Sequence, residues 1–147
     1  VPGIETVNAY SQDFANQAKC KEIALNQIAQ GSAVVFQVAG GCGLGVIDAA
    51  GEKNVWAIGV DADQSYLGKQ VLTSATKGVD TAVFLSIKDA HGGNFRGGKD
   101  AVYGLGQEGV GLGKFSPAAP KDIEPRVREI ERQIKDGKIK NIPTTVS

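Results

Sequence analysis

Methionine is absent from the 147 residues, cysteine occurs twice, and histidine and tryptophan occur once each. Two cysteines, Cys20 and Cys42, are too few for a disulfide-stapled fold and lack zinc-site spacing. A lone His91 cannot build a histidine metal cluster. No apolar run approaches the roughly 20 residues that span a bilayer. Neither charge is in excess, with 16 Lys and Arg against 16 Asp and Glu. That balance excludes a general nucleic-acid binder, which needs a basic patch to release counterions, and an acidic disordered tail. No basic-plus-apolar signal stretch and no initial Met are present, so a processed, excised or cut chain is expected. What is plentiful is glycine, 20 residues, about twice the usual share. Without a collagen period, that excess predicts tight turns and close backbone approaches. The length suits one domain.

Along the chain, Ile4–Tyr10 reads as a first strand. Ser11 and Asp13 offer N-cap oxygens for a helix over about Phe14–Gln30, which Gly31 closes. Ala33–Val38 is nearly continuous in apolar residues, as in a strand buried on both faces. It runs into Ala39-Gly40-Gly41-Cys42-Gly43-Leu44-Gly45 and a short helix over about Val46–Lys53. A third strand covers Val55–Val60, and a fourth Val71–Ser74, with a helix over about Val79–Ala90. Strand followed by helix, four times with short loops, predicts an α/β domain built on a parallel sheet, with helices covering it in three layers. These βα repeats occupy residues 1–90. Residues 91–147 change character: a glycine-rich connector from His91, two short strands over Ala101–Leu105 and Gly109–Gly113 that suggest a hairpin, and an amphipathic helix over about Lys121–Asp136. Ile142–Thr145 reads as extended.

Ligands of open parallel sheets bind at the carboxyl ends of the strands. Four polar loops belong there: Ser11–Phe14, Gly40–Gly45, Asp61–Gln64 and Thr73–Lys77. The glycine loop has G-x-G at Gly41 and Gly43 but Val46 at the third position, and no Gly-Lys-Ser/Thr follows. It is neither a dinucleotide fingerprint nor a P-loop; it is a ligand-approach loop or a packing turn. Asp61 reads as an acceptor for ribose hydroxyls or as a turn carboxylate. Lys77 stands against the helix dipole, which suggests an anionic or hydroxyl partner or a solvated side chain. Phe14 either stacks on a planar ring or staples the helix entry. No metal site is expected. Catalysis has little support: no Gly-x-Ser-x-Gly elbow exists, His91 reads as an exposed loop residue, and Cys42 as a nucleophile lacks a base. Cys20 reads as a small core residue. A Cys20–Cys42 disulfide stays open, because both cysteines lie near one rim in this topology.

Val34–Val46, with Ala57–Gln64, Leu72–Asp80, Val102–Leu105 and Gly109–Leu112, resembles the basic membrane lipoprotein family in order over essentially the whole chain. These are purine-nucleoside-binding lipoproteins that feed ABC transporters, with a type I periplasmic-binding-protein fold. The resemblance implies two flavodoxin-like or Rossmann-like lobes closing on a nucleoside, of which this chain resembles only the C-terminal one, a single lobe over 1–147. It implies that Phe14 stacks on the base, that Gly40 and Gly41 approach the ligand, that Asp61 binds ribose hydroxyls and that Lys77 lies on the ribose side. The implied partners are a purine nucleoside (weakly held by an isolated lobe), a missing N-terminal lobe and an ABC permease. The parent is expected outside the cytoplasm, this fragment soluble, without cofactor and not an enzyme. An uncovered rim predicts self-association. Departures are Asp13 before Phe14, Asn16 where the family has a carboxylate, Cys20 for a small residue, and Gly51 within a helix. The alternatives are a free-standing flavodoxin-like or Rossmann-like enzyme with a nucleotide cofactor, and an engineered scaffold with no ligand.

Overall fold

The computed structural model describes residues 3–140 and 142. Its elements are α1 (Gln17–Ala29), β1 (Val34–Phe36), α2 (Gly43–Lys53), β2 (Trp56–Asp61), β3 (Val71–Lys77), α3 (Val79–His91), β4 (Val110–Leu112) and α4 (Ile123–Lys135). The four strands form one sheet in the order β1-β2-β3-β4. The pairs β1–β2 and β2–β3 are parallel, with Val35 opposite Ala57 and Gly59 opposite Ser74. The α/β class and parallel strands read from the sequence are therefore present. The chain forms two compact units: Val1–Thr76 with Leu112–Ala118, and Lys77–Gly111 with Ala119–Ser147.

In the first unit, β1-α2-β2 is a βαβ crossover whose core is Val35, Ile47, Ala50, Ala57 and Val71. Ile28, Val46, Val55 and Leu67 pack around it. Gly51, which sits inside α2, leaves space taken by the Gln70 side chain: a Cβ there would lie 3.1 Å from Gln70 Nε2. That amide donates to the carbonyl of Leu67. The returning segment 113–116 is bonded to β3. Gly113 N–H donates to Ser74 O (2.8 Å) and Ser116 N–H to Leu72 O (2.9 Å). Thr73 Oγ1 donates to Gly113 O (3.1 Å), and Ser116 Oγ to Lys69 O (2.6 Å).

Four readings of the sequence are corrected. Residues 4–10 form no strand; all are exposed. Apolar side chains fall at positions 4, 7, 9 and 10, so no face is continuously apolar, and a strand needs both a partner and such a face. Gln27 Nε2 instead donates to Val7 O. The first helix starts at Gln17, because Asn16 has extended backbone and its side chain accepts the Lys19 N–H. β1 is buried on one side only: Val35 is 4% exposed and Phe36 54%. No helix follows β2; a single 3-10 turn, Ser65–Leu67, joins it to β3.

In the second unit, α3 presents Val79, Val83, Phe84 and Ile87 exposed. The hairpin is replaced by a 3-10 turn, Leu105–Gln107, with only β4 after it. Gly109 N–H closes back onto Gly104 O, and a Cβ at Gly109 would collide with the Tyr103 backbone. Those glycines thus serve a tight turn rather than a ladder. α4 matches the amphipathic reading. Its polar face carries Glu131 between Lys135 (2.9 Å) and Arg128 (3.1 Å), with Arg132 paired to Glu129. His91 ends α3, where a basic residue suits the dipole. Pro143–Thr145 of the extended tail lie outside the described residues.

Candidate functional site

Phe14 lies in a tight loop before α1. Gln12 takes a left-handed φ of 51°, and Asp13 Oδ1 accepts the N–H groups of Ala15 and Asn16, each at 2.9 Å. Asp13 and Asn16 thus divide the capping work, Asp13 closing the turn at Phe14 and Asn16 starting the helix. The Phe14 ring is 78% exposed, so it does not staple α1 to the core. Its carbonyl accepts the N–H of Cys42 at 2.9 Å. Gly40 has φ +57°, and a Cβ there would lie 3.3 Å from the Phe14 oxygen. Positive φ and close approach both demand glycine at this position. Gly41 lies in the same 3-10 turn, Gly40–Cys42, against the same carbonyl. The structure therefore brings Phe14, Gly40 and Gly41 into one junction at the amino end of α2.

The Cys20–Cys42 disulfide locks that junction. It ties α1 to the glycine turn with Cα atoms 5.6 Å apart, and both residues are buried. The reading of Cys42 as a nucleophile is overturned, since a buried, bonded sulfur offers no thiolate.

Asp61 ends β2 on the adjacent strand. Its φ is +67°, and Ala62 N–H donates to Val60 O at 2.8 Å. An i→i+2 bond around a left-handed residue is the rarer, strained form of the γ-turn. Such strain costs about 1–3 kcal/mol and persists where the surroundings over-determine it. The turn presents Asp61 exposed at the strand end. Lys77 ends β3, exposed, and belongs to the second unit, with Asp80 in the first turn of the following helix.

The sequence reading placed Gln64 and Ser74 in rim loops without giving them a role and missed Gln37; the three join the strand ends. Gln37 Nε2 donates to Gln64 Oε1 at 3.0 Å, and Gln64 N–H donates to Ser74 Oγ at 3.0 Å. The available signal was register: Gln37 is two residues beyond Val35 and shares its buried side. In the second unit, one open cleft of about 790 Å³ is lined by Ser86, Asp89, Asn94, Phe95, Arg96 and Tyr103, among others. None of the five candidate residues lines it. Among the described residues, no group of three or more His, Cys, Asp or Glu is placed to hold a metal ion, and no helix is long and apolar enough to cross a membrane.

Three carboxyls here are held below their ordinary range. Asp13 is lowered by the backbone N–H groups of Ala15 and Asn16, Glu52 by Lys21 and then Lys53, and Glu131 by Lys135 and then Arg128. A lowered folded pKa contributes stability that is present above the unfolded value and lost as pH falls through the folded one. The melting temperature is therefore expected to fall below about pH 4.5. Molar salt should screen the share of exposed Glu52 more than that of half-buried Glu131, and leave the share of Asp13. Melting followed by circular dichroism from pH 7 to pH 2.5 checks this; a melting temperature that rises on acidification contradicts it.

The family description "ABC transporter substrate-binding protein PnrA-like" (Bmp) matches residues 2–145. The chain belongs to the Bmp family. It is 36% identical to the CD4+ T-cell-stimulating antigen of Listeria monocytogenes, covering 94% of this chain and 45% of that protein. It is 38% identical to the ABC transporter nucleoside-binding protein BmpA of Lactococcus lactis, covering 88% and 42%. The chain thus spans less than half the length of these curated relatives. Among solved structures, an ABC transporter solute-binding protein from Aeropyrum pernix K1 aligns with TM-score 0.72 at 26% identity, over 93% of this chain and 48% of that one. A transcriptional activator of the comK gene from Bacillus halodurans aligns with TM-score 0.79 at 23% identity, over 88% and 46%, and shares the fold. Bmp proteins are substrate-binding proteins of ABC transporters.

Proposed function

We propose that this Bmp chain is one lobe of a nucleoside receptor for an ABC importer and carries half of the ligand site. The observation that carries the reading is the junction of an exposed aromatic residue, Phe14, with a turn whose first position, Gly40, demands glycine, together with a carboxylate in a left-handed turn, Asp61, at the end of the neighbouring strand β2. Phe14 would stack on a purine. Gly40 and Gly41 would let the backbone approach it, and Asp61 would accept hydrogen bonds from ribose hydroxyls. The name of the Lactococcus relative supports nucleoside as the ligand. The partners on this reading are a second lobe that buries the other face of the nucleoside, a permease, and a location outside the cytoplasm. The chemistry is binding and release, without catalysis.

Inosine titrated into the chain and followed by amide NMR tests the reading. Shifts at Phe14, Gly40 and Asp61 are expected at millimolar ligand, because one lobe leaves half the nucleoside in water. Phe14→Ala should weaken this response by about 5-fold to 150-fold, corresponding to about 1–3 kcal/mol of base stacking. Micromolar binding by the monomeric chain overturns the half-site, and preferential binding of flavin supports the alternative of a cofactor-dependent enzyme.

A further inference from the structure

Below the rim runs a polar relay with a defined end point. Gln37 is 3% exposed and Ser74 is fully buried. Gln37 Oε1 accepts the Ala39 N–H (3.3 Å), and its Nε2 donates to Gln64 Oε1 (3.0 Å). Gln64 Oε1 also accepts the N–H of Val60 at 3.0 Å, while the Gln64 N–H donates to Ser74 Oγ. Two glycines make room for these side chains. A Cβ at Gly43 would fall on the Gln37 carboxamide, and one at Gly59 would lie 2.7 Å from Gln64 Oε1. Because Oε1 of Gln64 takes two donors, its amide has one usable orientation; flipping it would set Nε2 against two N–H groups.

Val60 is the residue that opens the Asp61 turn, and its carbonyl closes that turn on Ala62. The relay therefore grips the backbone immediately before a left-handed residue, from the residue that follows β1 on one side and from β3 on the other. We propose that Gln64, braced by Gln37 and Ser74, is a positioning residue that holds the Val60–Ala62 turn and so sets the direction in which Asp61 presents its carboxylate to ligand. The ligand part of this proposal rests on the reading of the rim as a nucleoside site; the backbone part does not.

NMR on the 147-residue chain separates the two. The amide–Hα coupling of Asp61 reports its φ, exchange of the Val60 amide reports the bond to Gln64, and an inosine titration reports the rim. Gln64→Met keeps the shape and removes the acceptor. It should leave the other amides in place, speed Val60 exchange at least about 10-fold, move Asp61 away from left-handed φ, and raise the inosine Kd about 10-fold, as misplaced binding groups do. Gln64→Glu, which restores the acceptor, should restore coupling and protection. In an Asp61→Ala background, Gln64→Met should change the Kd by less than about twofold, because the two residues act as one unit. Unchanged coupling and exchange in Gln64→Met overturn the proposal, as does a full additional loss of affinity in the Asp61→Ala background. If Gln64→Met fails to fold, Ser74→Ala, which removes one brace, is read by the same signals, and unchanged coupling and exchange there overturn it equally. If the wild-type chain does not respond to inosine, the nucleoside reading falls, while coupling and exchange still decide the role of Gln64.

Discussion

Replacing Gly45 with alanine is expected to lower the stability of the chain by about 3 kcal/mol, the upper range for inserting one methyl into a packed site. Gly45 lies in the first turn of α2, and a Cβ there would fall on the carbonyl oxygen of Gln17 and 3.0 Å from the amide nitrogen of Lys21. Both obstacles are α1 backbone, so rotating a side chain relieves nothing and the two helices must separate. The better helix propensity of alanine, at most about 1 kcal/mol, does not offset this. Gly51→Ala in the same helix is the control. Its new Cβ meets only the end of the Gln70 side chain, so its effect should fall within about 1 kcal/mol of zero. Urea denaturation of the two variants checks the contrast, and equal midpoints for Gly45→Ala and wild type would refute backbone-to-backbone packing of α1 on α2.

Reducing the Cys20–Cys42 bond is expected to cost a similar amount. The bond closes a loop with a sequence separation of 22 residues, for which chain entropy assigns about 3 kcal/mol. Because both sulfurs are buried, dithiothreitol should act slowly on the native chain and faster in urea, through opened states. Reduction should also loosen the Phe14 carbonyl from the Cys42 amide, so the Phe14 loop should lose protection before the sheet does. Comparing urea midpoints of oxidised and reduced chain tests this without altering the sequence. Coincident midpoints would mean that the bond constrains nothing the unfolded chain explores.

Much of the fold was legible. The run Val34–Val38, the glycine turn after it and the strand ending at Asp61 are local patterns, and each element stands within a few residues of its sequence-based limits. Gly40 was legible as a turn because only glycine relieves a left-handed backbone. What local pattern could not supply was pairing. Residues 4–10 have strand-like residues but no partner, and Gly104–Gly109 closes on itself rather than across a hairpin. Ser11 and Asp13 were the caps read from the sequence, whereas Asn16, which takes extended backbone, caps α1, a choice that local pattern does not make. The candidate site shows the same division. Asp61 was legible as a carboxylate at a strand end, but its left-handed turn is held by Gln64, itself held by Gln37 just after β1 and by Ser74 in β3, and such a relay exists only after those strands are paired. The cysteine pairing stayed open for the same reason.

The segment 113–116, stitched along β3 by Gly113 and Ser116, has a consequence for the order of events during synthesis. The first unit cannot close when β3 leaves the ribosome, because its last piece lies beyond the intervening part of the second unit. At about 5–20 residues per second, the roughly 40 residues between them hold the carbonyls of Leu72 and Ser74 without their final partners for ~2–8 s. During that interval the outer edge of β3 is a template for any other strand. Lengthening the glycine-rich connector after α3 would extend this exposure without touching a single native contact of the first unit, whereas added residues after Ala118 would not.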